Sequence, residues 1–194
     1  MNVQEETATV APGVAGAPAV RLLLDELPGT VLRHEEACGE ATAWLGREHL
    51  TTACVLLRDH PRGRYTLPLY VSAVDHPDRE PELPRFDVVY QFRSLLLNDV
   101  CRLVVQVTEA DPSVPSLERC FAGMDWHERE TYDLLGINFT GHHDLRRILL
   151  PEDWQGHPLR KDYVSFAEPV AFTHNLEWAL PAQERPPDMP GSSR

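Results

Sequence analysis

The sequence predicts an α+β fold: a small antiparallel or mixed sheet with flanking helices, followed by a long extended C-terminal arm. Three segments rich in β-branched and aromatic residues follow one another in the middle of the chain, separated by turn chemistry. Helical patterns stand before and after these segments, as in an α+β domain. After the last helix the periodicity stops although bulky apolar residues continue, which indicates an arm.

The composition is that of a globular protein with an acidic charge balance. The chain has 194 residues, 42% of them hydrophobic and 25% charged, so we expect one domain with modest tails and an apolar core. Its net charge of −12 argues against a nucleic-acid binder, because phosphate contacts need a basic face. No apolar run approaches the roughly 20 residues of a membrane-spanning helix, and we expect a soluble, cytoplasmic protein that meets a membrane only through a partner.

The first elements are two helices and two short strands. An amphipathic pattern over residues 19–27, stopped by a Pro-Gly pair, predicts a helix. Short strands are predicted near residues 31–34 and 42–45. Residues 47–58 carry apolar side chains at the i, i+3, i+4, i+7 spacing of one helical face, which predicts a second helix.

Three consecutive strands give the clearest signal. They are predicted over residues 65–74, 86–97 and 101–107, with Asn98-Asp99 as a compact hairpin turn between the last two. Because parallel neighbours would need a crossover of about a dozen residues or more, the short links predict an antiparallel meander.

The last predicted helix covers residues 116–135, with Ser116 as its cap and Gly136 as its C-terminal stop. The α+β domain is therefore predicted to span residues 19–135, and the extended arm residues 136–180. Residues 1–18 and 181–194 are small, polar and punctuated by proline and glycine, so we expect disordered tails.

The predicted arm combines irregular backbone with apolar side chains. Such a segment is uncommon inside a compact domain, because its backbone groups lack partners there. A neighbouring protein that covers the apolar residues and pairs the charges resolves this difficulty. The arm is therefore predicted to wrap a partner.

Catalytic interpretations find little support in the sequence. His127-Glu128 begins like H-E-x-x-H, but Thr131 stands where the second histidine is needed. Glu128 and Glu130 do not share a helical face. His142, His143, Asp144 and His157 are metal ligands by type, although no regular element orients them. We expect no catalytic, cofactor-binding or metal-binding residue in this chain.

One stretch resembles a known family. The run from Glu128 to Leu135, then six residues, His142, three residues and the run from Arg146 to Leu149 resembles the signature of the complex I 30 kDa subunit, also called the C subunit of bacterial NADH–quinone oxidoreductase. Further segments fit its consensus, so that the resemblance covers about residues 20–165. His143 stands where the family usually has proline.

The resemblance implies a structural subunit of the peripheral arm of proton-translocating NADH:quinone oxidoreductase. Such a subunit wraps the 49-kilodalton subunit, also called the D subunit, and supports electron transfer from NADH to quinone without a redox centre of its own. FMN and the iron–sulfur clusters are expected in partner subunits. The implied location is the cytoplasmic side of the bacterial cell membrane, where the complex holds the chain peripherally.

Two alternatives stay open at this point. The chain is also compatible with the equivalent subunit of a membrane-bound nickel–iron hydrogenase or another complex I-like dehydrogenase. An alternative of another class is a stand-alone metal-dependent hydrolase that uses His142, His143 and His157.

The resemblance also implies which residues bind the partner. Charges on the last helix are expected to fix the root of the arm, and charges in the arm to form docking ion pairs. Trp126, Phe139 and Trp154 are candidate interface anchors or core residues. The predicted partner-binding residues are Glu128, Arg129, Glu130, Asp133, His142, Arg146, Arg147, Asp153, Trp154, His157, Arg160, Lys161 and Asp162.

Overall fold

The computed structural model describes residues 17–80 and 83–163, all within a compact unit that ends at Tyr163. These residues form three α-helices around a five-stranded mixed sheet, which confirms the predicted α+β class. The helices are α1 (Pro18–Glu26), α2 (Leu50–Asp59) and α3 (Met124–Leu135). The strands are β1 (Val31–Ala37), β2 (Glu40–Leu45), β3 (Leu67–Asp75), β4 (Phe86–Ser94), β5 (Asp99–Val107), β6 (Ser113–Pro115) and β7 (Asn138–Thr140).

Parts of the predicted organisation lie outside the described residues. Of the predicted tail at 1–18 only Ala17 and Pro18 are described, and Pro18 already begins α1, where its fixed φ suits the first helical turn. The predicted arm is described as far as Tyr163, and the predicted tail at 181–194 is not described. Within the described part of the chain, no helix has the length and apolarity needed to cross a bilayer.

The larger sheet is mixed and has the strand order β1-β2-β5-β4-β3. The neighbours β3, β4 and β5 are antiparallel, as their short links predicted. Strand β2 lies parallel to β5, because the chain between them forms α2, β3 and β4 before it returns to the middle of the sheet. Residues 47–49, predicted as helix, form one 3₁₀ turn before α2.

The hairpin between β4 and β5 differs from the prediction. Strand β4 ends at Ser94 rather than at Leu97, and the turn takes residues 95–98, with Asn98 in the left-handed region at φ 49°. The Ser94 hydroxyl donates to the Gly63 carbonyl at 2.7 Å and accepts from the Leu97 N–H at 3.3 Å. These hydrogen bonds end the pairing of β4 with β5 at Ser94, before the three leucines that the prediction included in the strand.

The helix predicted from Ser116 begins only at Met124. Strand β6 pairs with β7 in parallel and keeps the chain extended to Pro115, after which turns lead to α3. The Ser116 hydroxyl does not cap the helix; it donates to the Glu128 carboxylate at 2.6 Å. Gly136 does end the helix, as predicted, with φ 75° and its N–H on the Tyr132 carbonyl.

One apolar core joins the larger sheet to the helices. Phe86, Tyr90 and Phe92 of β4 are fully buried in it. The core also contains Ile137 and Phe139, the first apolar residues of the predicted arm. Phe139 is therefore a core residue rather than an exposed anchor, and the packed core extends past residue 135.

Replacing Gly136 by alanine is expected to destabilise the fold more than replacing Gly141. Both glycines have positive φ, 75° and 84°, and an L side chain in that region costs about 1–2 kcal/mol. A Cβ at Gly136 would also lie 2.6 Å from His157 and 2.5 Å from Arg160, whereas nothing lies within 4 Å at Gly141. Urea unfolding should show the larger loss for Gly136→Ala, and equal losses would contradict the close packing on the helix end.

Candidate interface at the root of the arm

The side chain of Asp133 on α3 organises the described part of the arm. It is fully buried, and its Oδ2 accepts the backbone N–H groups of Ile148, Leu149 and Leu150 at 3.0, 2.8 and 3.0 Å. Three donors on one carboxylate oxygen hold a non-helical loop against the helix without strand pairing. Some backbone N–H groups of the irregular segment after Gly136 therefore find their acceptors within the chain itself.

Arg147 completes this arrangement from the arm. Its guanidinium donates to Asp133 Oδ1 at 2.7 Å and to the backbone carbonyls of Trp154 and Gly156 at 3.1 Å each. Burial favours the protonated form of Asp133, but the three N–H groups and Arg147 outweigh it and hold the pKa of Asp133 below its usual range. The Asp133–Arg147 ion pair is a charge-assisted hydrogen bond that connects α3 to the arm.

His157 and Arg160 cover the C-terminal end of α3. The His157 Nδ1–H donates to the Asp133 carbonyl at 2.9 Å, and Arg160 Nε donates to the Leu135 carbonyl at 2.7 Å. Cationic and N–H groups at this position satisfy helix carbonyls that have no partner inside the helix. Burial lowers the pKa of His157, against the hydrogen bond to the Asp133 carbonyl, which raises it, and so favours the neutral ring.

The end of the described arm is tied to the large sheet at Asp75. This buried carboxylate pairs with Arg85 at 2.7 and 3.0 Å and accepts the Lys161 N–H at 2.8 Å. Arg85 also contacts Asp162 at 3.0 Å. The hydrogen bond from Arg85, against the opposing effect of burial, lowers the pKa of Asp75.

Glu128 faces inward from α3. Its carboxylate is fully buried and accepts the Ser116 hydroxyl at 2.6 Å and the Leu117 N–H at 2.7 Å. Burial raises its pKa to about 7, against these hydrogen bonds, which lower it. Since both oxygens bond to neighbouring residues of the chain, Glu128 is placed to hold the turn after β6 against α3.

The predicted partner-binding residues divide by where their side chains lie. The partner-binding role of the set stays a prediction, and several members already have partners within the chain. Those that are buried or half-buried with internal partners are Glu128, Asp133, His142, Arg147, His157 and Arg160. The exposed Arg146 and Asp162 also pair within the chain, with Asp144 and Arg85. Those exposed to solvent are Glu130, Arg146, Asp153, Trp154, Lys161 and Asp162, while Arg129 is half-buried and donates to the Arg146 carbonyl.

The exposed apolar side chains of α3 and the arm are the second feature of this surface. Trp126 is 61% exposed with the Arg129 guanidinium 5.1 Å from its ring centroid, and Leu149 is 60% exposed. Trp154 and Leu159 are also exposed. Leu149 and Leu159 are among the apolar residues of the arm that a partner is predicted to cover, but the sequence did not distinguish them from the apolar residues of the arm that are buried within the chain.

The histidines proposed as metal ligands do not form one group. His142 and His143 stack on each other, with ring centroids 5.3 Å apart. They lie beside Glu118 and Asp125, whereas His157 lies on the carbonyl of Asp133. The three-histidine site that a hydrolase of this kind requires is not assembled in the described residues.

Comparison with known proteins identifies relatives along most of the chain. A family model described as "Respiratory-chain NADH dehydrogenase, 30 Kd subunit" matches residues 43–169. The C subunit of the NADH-quinone oxidoreductase of Roseiflexus sp. (strain RS-1) is 43% identical over 161 residues, which are 83% of this chain and 91% of that protein. The C subunit from Roseiflexus castenholzii is 46% identical over 151 residues, or 78% and 85% of the two chains.

A solved structure shares the fold at lower identity. A chain in the structure of the membrane-bound sulfane sulfur reductase, an archaeal respiratory membrane complex, superposes with a TM-score of 0.61 at 17% identity. The match covers 75% of this chain and 83% of that one. This similarity supports the architecture alone.

Proposed function

Because this chain belongs to the family of 30 kDa subunits of the respiratory-chain NADH dehydrogenase, we propose that it is a structural subunit of the peripheral arm of proton-translocating NADH:quinone oxidoreductase and docks on the 49-kilodalton subunit. In this role it holds no redox centre. FMN and the iron–sulfur clusters belong to partner subunits, and the complex keeps the chain on the cytoplasmic side of the bacterial membrane. The chain supports electron transfer from NADH to quinone by holding its neighbours in position.

The exposed apolar surface of α3 and the arm carries this proposal. The backbone of the arm is anchored by Asp133 and Arg147, yet large side chains such as Trp126 and Leu149 remain open to solvent. An anchored loop that presents aromatic and aliphatic groups loses little conformational entropy when a partner covers it. Tryptophan and arginine are also the residue types that dominate interface energetics.

The alternatives receive less support. The relatives at 43% and 46% identity are named as subunits of NADH-quinone oxidoreductase, which favours that complex over a hydrogenase. A hydrolase built on His142, His143 and His157 has no support in the described residues, since His157 lies with Asp133 instead.

Trp126→Ala is expected to weaken binding to the 49-kilodalton subunit of the same organism. Loss of a large interface anchor costs about 2 kcal/mol, or a roughly 30-fold rise in Kd. The measurement is the Kd of the purified full chain for that subunit, by surface plasmon resonance or by quantitative copurification. Arg146→Ala should weaken binding less, and mainly at low salt, because its side chain is exposed.

A matched control is Leu32→Ala on β1, whose side chain is 58% exposed and lies away from α3 and the arm. Its Kd should equal that of the wild type. Unfolding in urea must show that all the variants are folded. A folded Trp126→Ala variant with wild-type Kd would refute this docking surface.

A further inference from the structure

Four potential metal ligands from three separate segments meet next to the start of α3. Glu118 lies in the turns after β6, Asp125 in the first turn of α3, and His142 and His143 just after β7. One ligand atom of each lies within 4.8 Å of those of the others. Only the fold brings these residues together, since Glu118 and His143 are 25 positions apart.

The imidazole of His142 is at the centre of the cluster. Its side chain is fully buried, and its Nε2 lies 3.2 Å from Asp125 Oδ1 and 3.5 Å from Glu118 Oε2. A third carboxylate, Glu128, approaches the same atom to 4.0 Å. His143 Nδ1 lies 2.5 Å from Glu118 Oε2, so that one carboxylate faces both rings.

The polar atoms of this cluster are not fully satisfied by each other. Asp125 Oδ1 is buried and forms no hydrogen bond, although it lies 3.2 Å from His142 Nε2. The hydrogen-bonding contact of that Nε2 is a long one of 3.4 Å to the Asp125 backbone carbonyl. Buried polar atoms normally have well-aligned partners, and a cation bound by both groups would satisfy Asp125 Oδ1 and His142 Nε2 better than this contact does.

We propose that Glu118, Asp125, His142 and His143 bind one divalent transition-metal ion of the zinc type. Imidazole nitrogen and carboxylate oxygen suit zinc, which binds them at about 2.0–2.2 Å in tetrahedral sites, so that neighbouring ligand atoms lie about 3.3 Å apart. The distances of 3.2 and 3.5 Å from His142 Nε2 to the two carboxylates match that value, whereas His143 Nδ1 and Glu118 Oε2, now 2.5 Å apart, must separate to admit the ion. Two carboxylates and two neutral imidazoles also balance the charge of the ion.

Metal binding requires two local rearrangements. The Asp144 N–H now donates to His142 Nδ1 at 3.1 Å, which places the proton of a neutral ring on Nε2. Coordination through Nε2 moves that proton to Nδ1, so the Asp144 amide must turn away. His143 Nδ1, which lies 2.5 Å from Glu118 Oε2, must likewise bind the ion without a proton.

The proposed site is structural rather than catalytic. Four protein ligands leave a tetrahedral zinc ion no open position for water or substrate. The ion would join the turns between β6 and α3 to the segment after β7, and so hold the first part of the arm against α3. This inference is independent of the proposed docking on the 49-kilodalton subunit.

The test is zinc binding by the tag-free, EDTA-dialysed full chain. Isothermal titration with ZnCl₂ should give one ion per chain, and Tm should rise with free zinc because the ion binds the folded state. MgCl₂ should give neither effect, since magnesium prefers oxygen ligands and water. Cobalt(II) should produce the visible absorption bands of a tetrahedral ion.

His143→Ala is the decisive variant, because its side chain is exposed and its loss should not impair folding. We expect a Kd for zinc at least about tenfold weaker, and the same for Glu118→Gln. The matched control is His49→Ala, which removes a partly exposed histidine beside another glutamate and should bind as the wild type does. Zinc binding that is unchanged in His143→Ala and Glu118→Gln, or well below one ion per chain, would show adventitious binding only and overturn the proposal.

Discussion

Asp133→Asn is expected to lower the free energy of unfolding by about 3–5 kcal/mol, the usual loss when one partner of a buried ion pair is removed. The variant keeps the size of the side chain but leaves Arg147, itself largely buried, without its counter-charge. It also places an amide where one oxygen now accepts three backbone N–H groups. Urea unfolding at pH 7 measures the loss, and hydrogen exchange at residues 148–150 should show that the arm opens locally.

The control for this variant is Asp153→Asn, which changes an exposed aspartate of the same arm and should stay within about 0.5 kcal/mol of the wild type. The pH dependence provides a second check. The pKa of Asp133 is lowered in the folded state. Its charge therefore contributes fully to the free energy of unfolding above its unfolded pKa of about 3.9, and this contribution is lost as the pH falls through the pKa of the folded state. The difference in free energy of unfolding between wild type and Asp133→Asn should therefore decrease below about pH 4. A difference that does not change with pH would contradict the role of the charge.

Arg85→Met is expected to destabilise the fold by about 3 kcal/mol. Methionine retains most of the apolar stem, so the loss reports the guanidinium, with its ion pairs and its contact 5.1 Å from the Phe86 ring centroid. Asp75, with a side chain only 1% exposed, would remain ionised and buried with the Lys161 N–H as its remaining donor. Adding Asp75→Asn in the same chain should recover most of the loss, because no buried charge is then left unpaired.

Arg62→Met is the matched control on the surface. Arg62 pairs with two carboxylates, at 2.9 and 2.8 Å, and Arg85 with three, but the side chain of Arg62 is 51% exposed against 11% for Arg85. Exposed pairs contribute about 0–1 kcal/mol, so this variant should lose little stability. If Arg85→Met lost no more than Arg62→Met, the contribution of the Asp75 pair to the fold would be refuted.

The local parts of the fold were predictable from the sequence, because local chemistry specifies them. The apolar face of α2, with Leu50, Ala53, Cys54 and Leu57, is buried as its spacing predicted. The antiparallel meander followed from short links, and the end of α3 from Gly136. Predictions failed where a contact between residues distant in sequence sets the local structure. Ser116 is of a residue type that caps helices, but its hydroxyl donates to Glu128 and the helix does not begin there.

In the candidate site, too, the sequence predicted the local features but not the contacts between distant residues. Its residues were found by resemblance to a family signature, yet the resemblance did not indicate which of them face inward. Arg146 and Arg147 are adjacent in sequence, but the first is exposed beside Asp144 and the second is clamped by Asp133. Metal-ligand types were recognised at His142 and His143, whereas Glu118 and Asp125 were not, since nothing local connects them.

The sequence by itself determined the α+β class, the order of most elements, the family and the segment that carries its signature, because periodicity, turn chemistry and motif spacing are properties of neighbouring residues. Only the tertiary structure decided what the charges of that segment do. Asp75 and Lys161 are 86 positions apart and Asp133 and Leu150 are 17 apart, and each pair meets through a hydrogen bond. Such contacts depend on how the packed core orients the helix and the sheet, and this orientation makes several predicted docking charges into internal anchors of the arm.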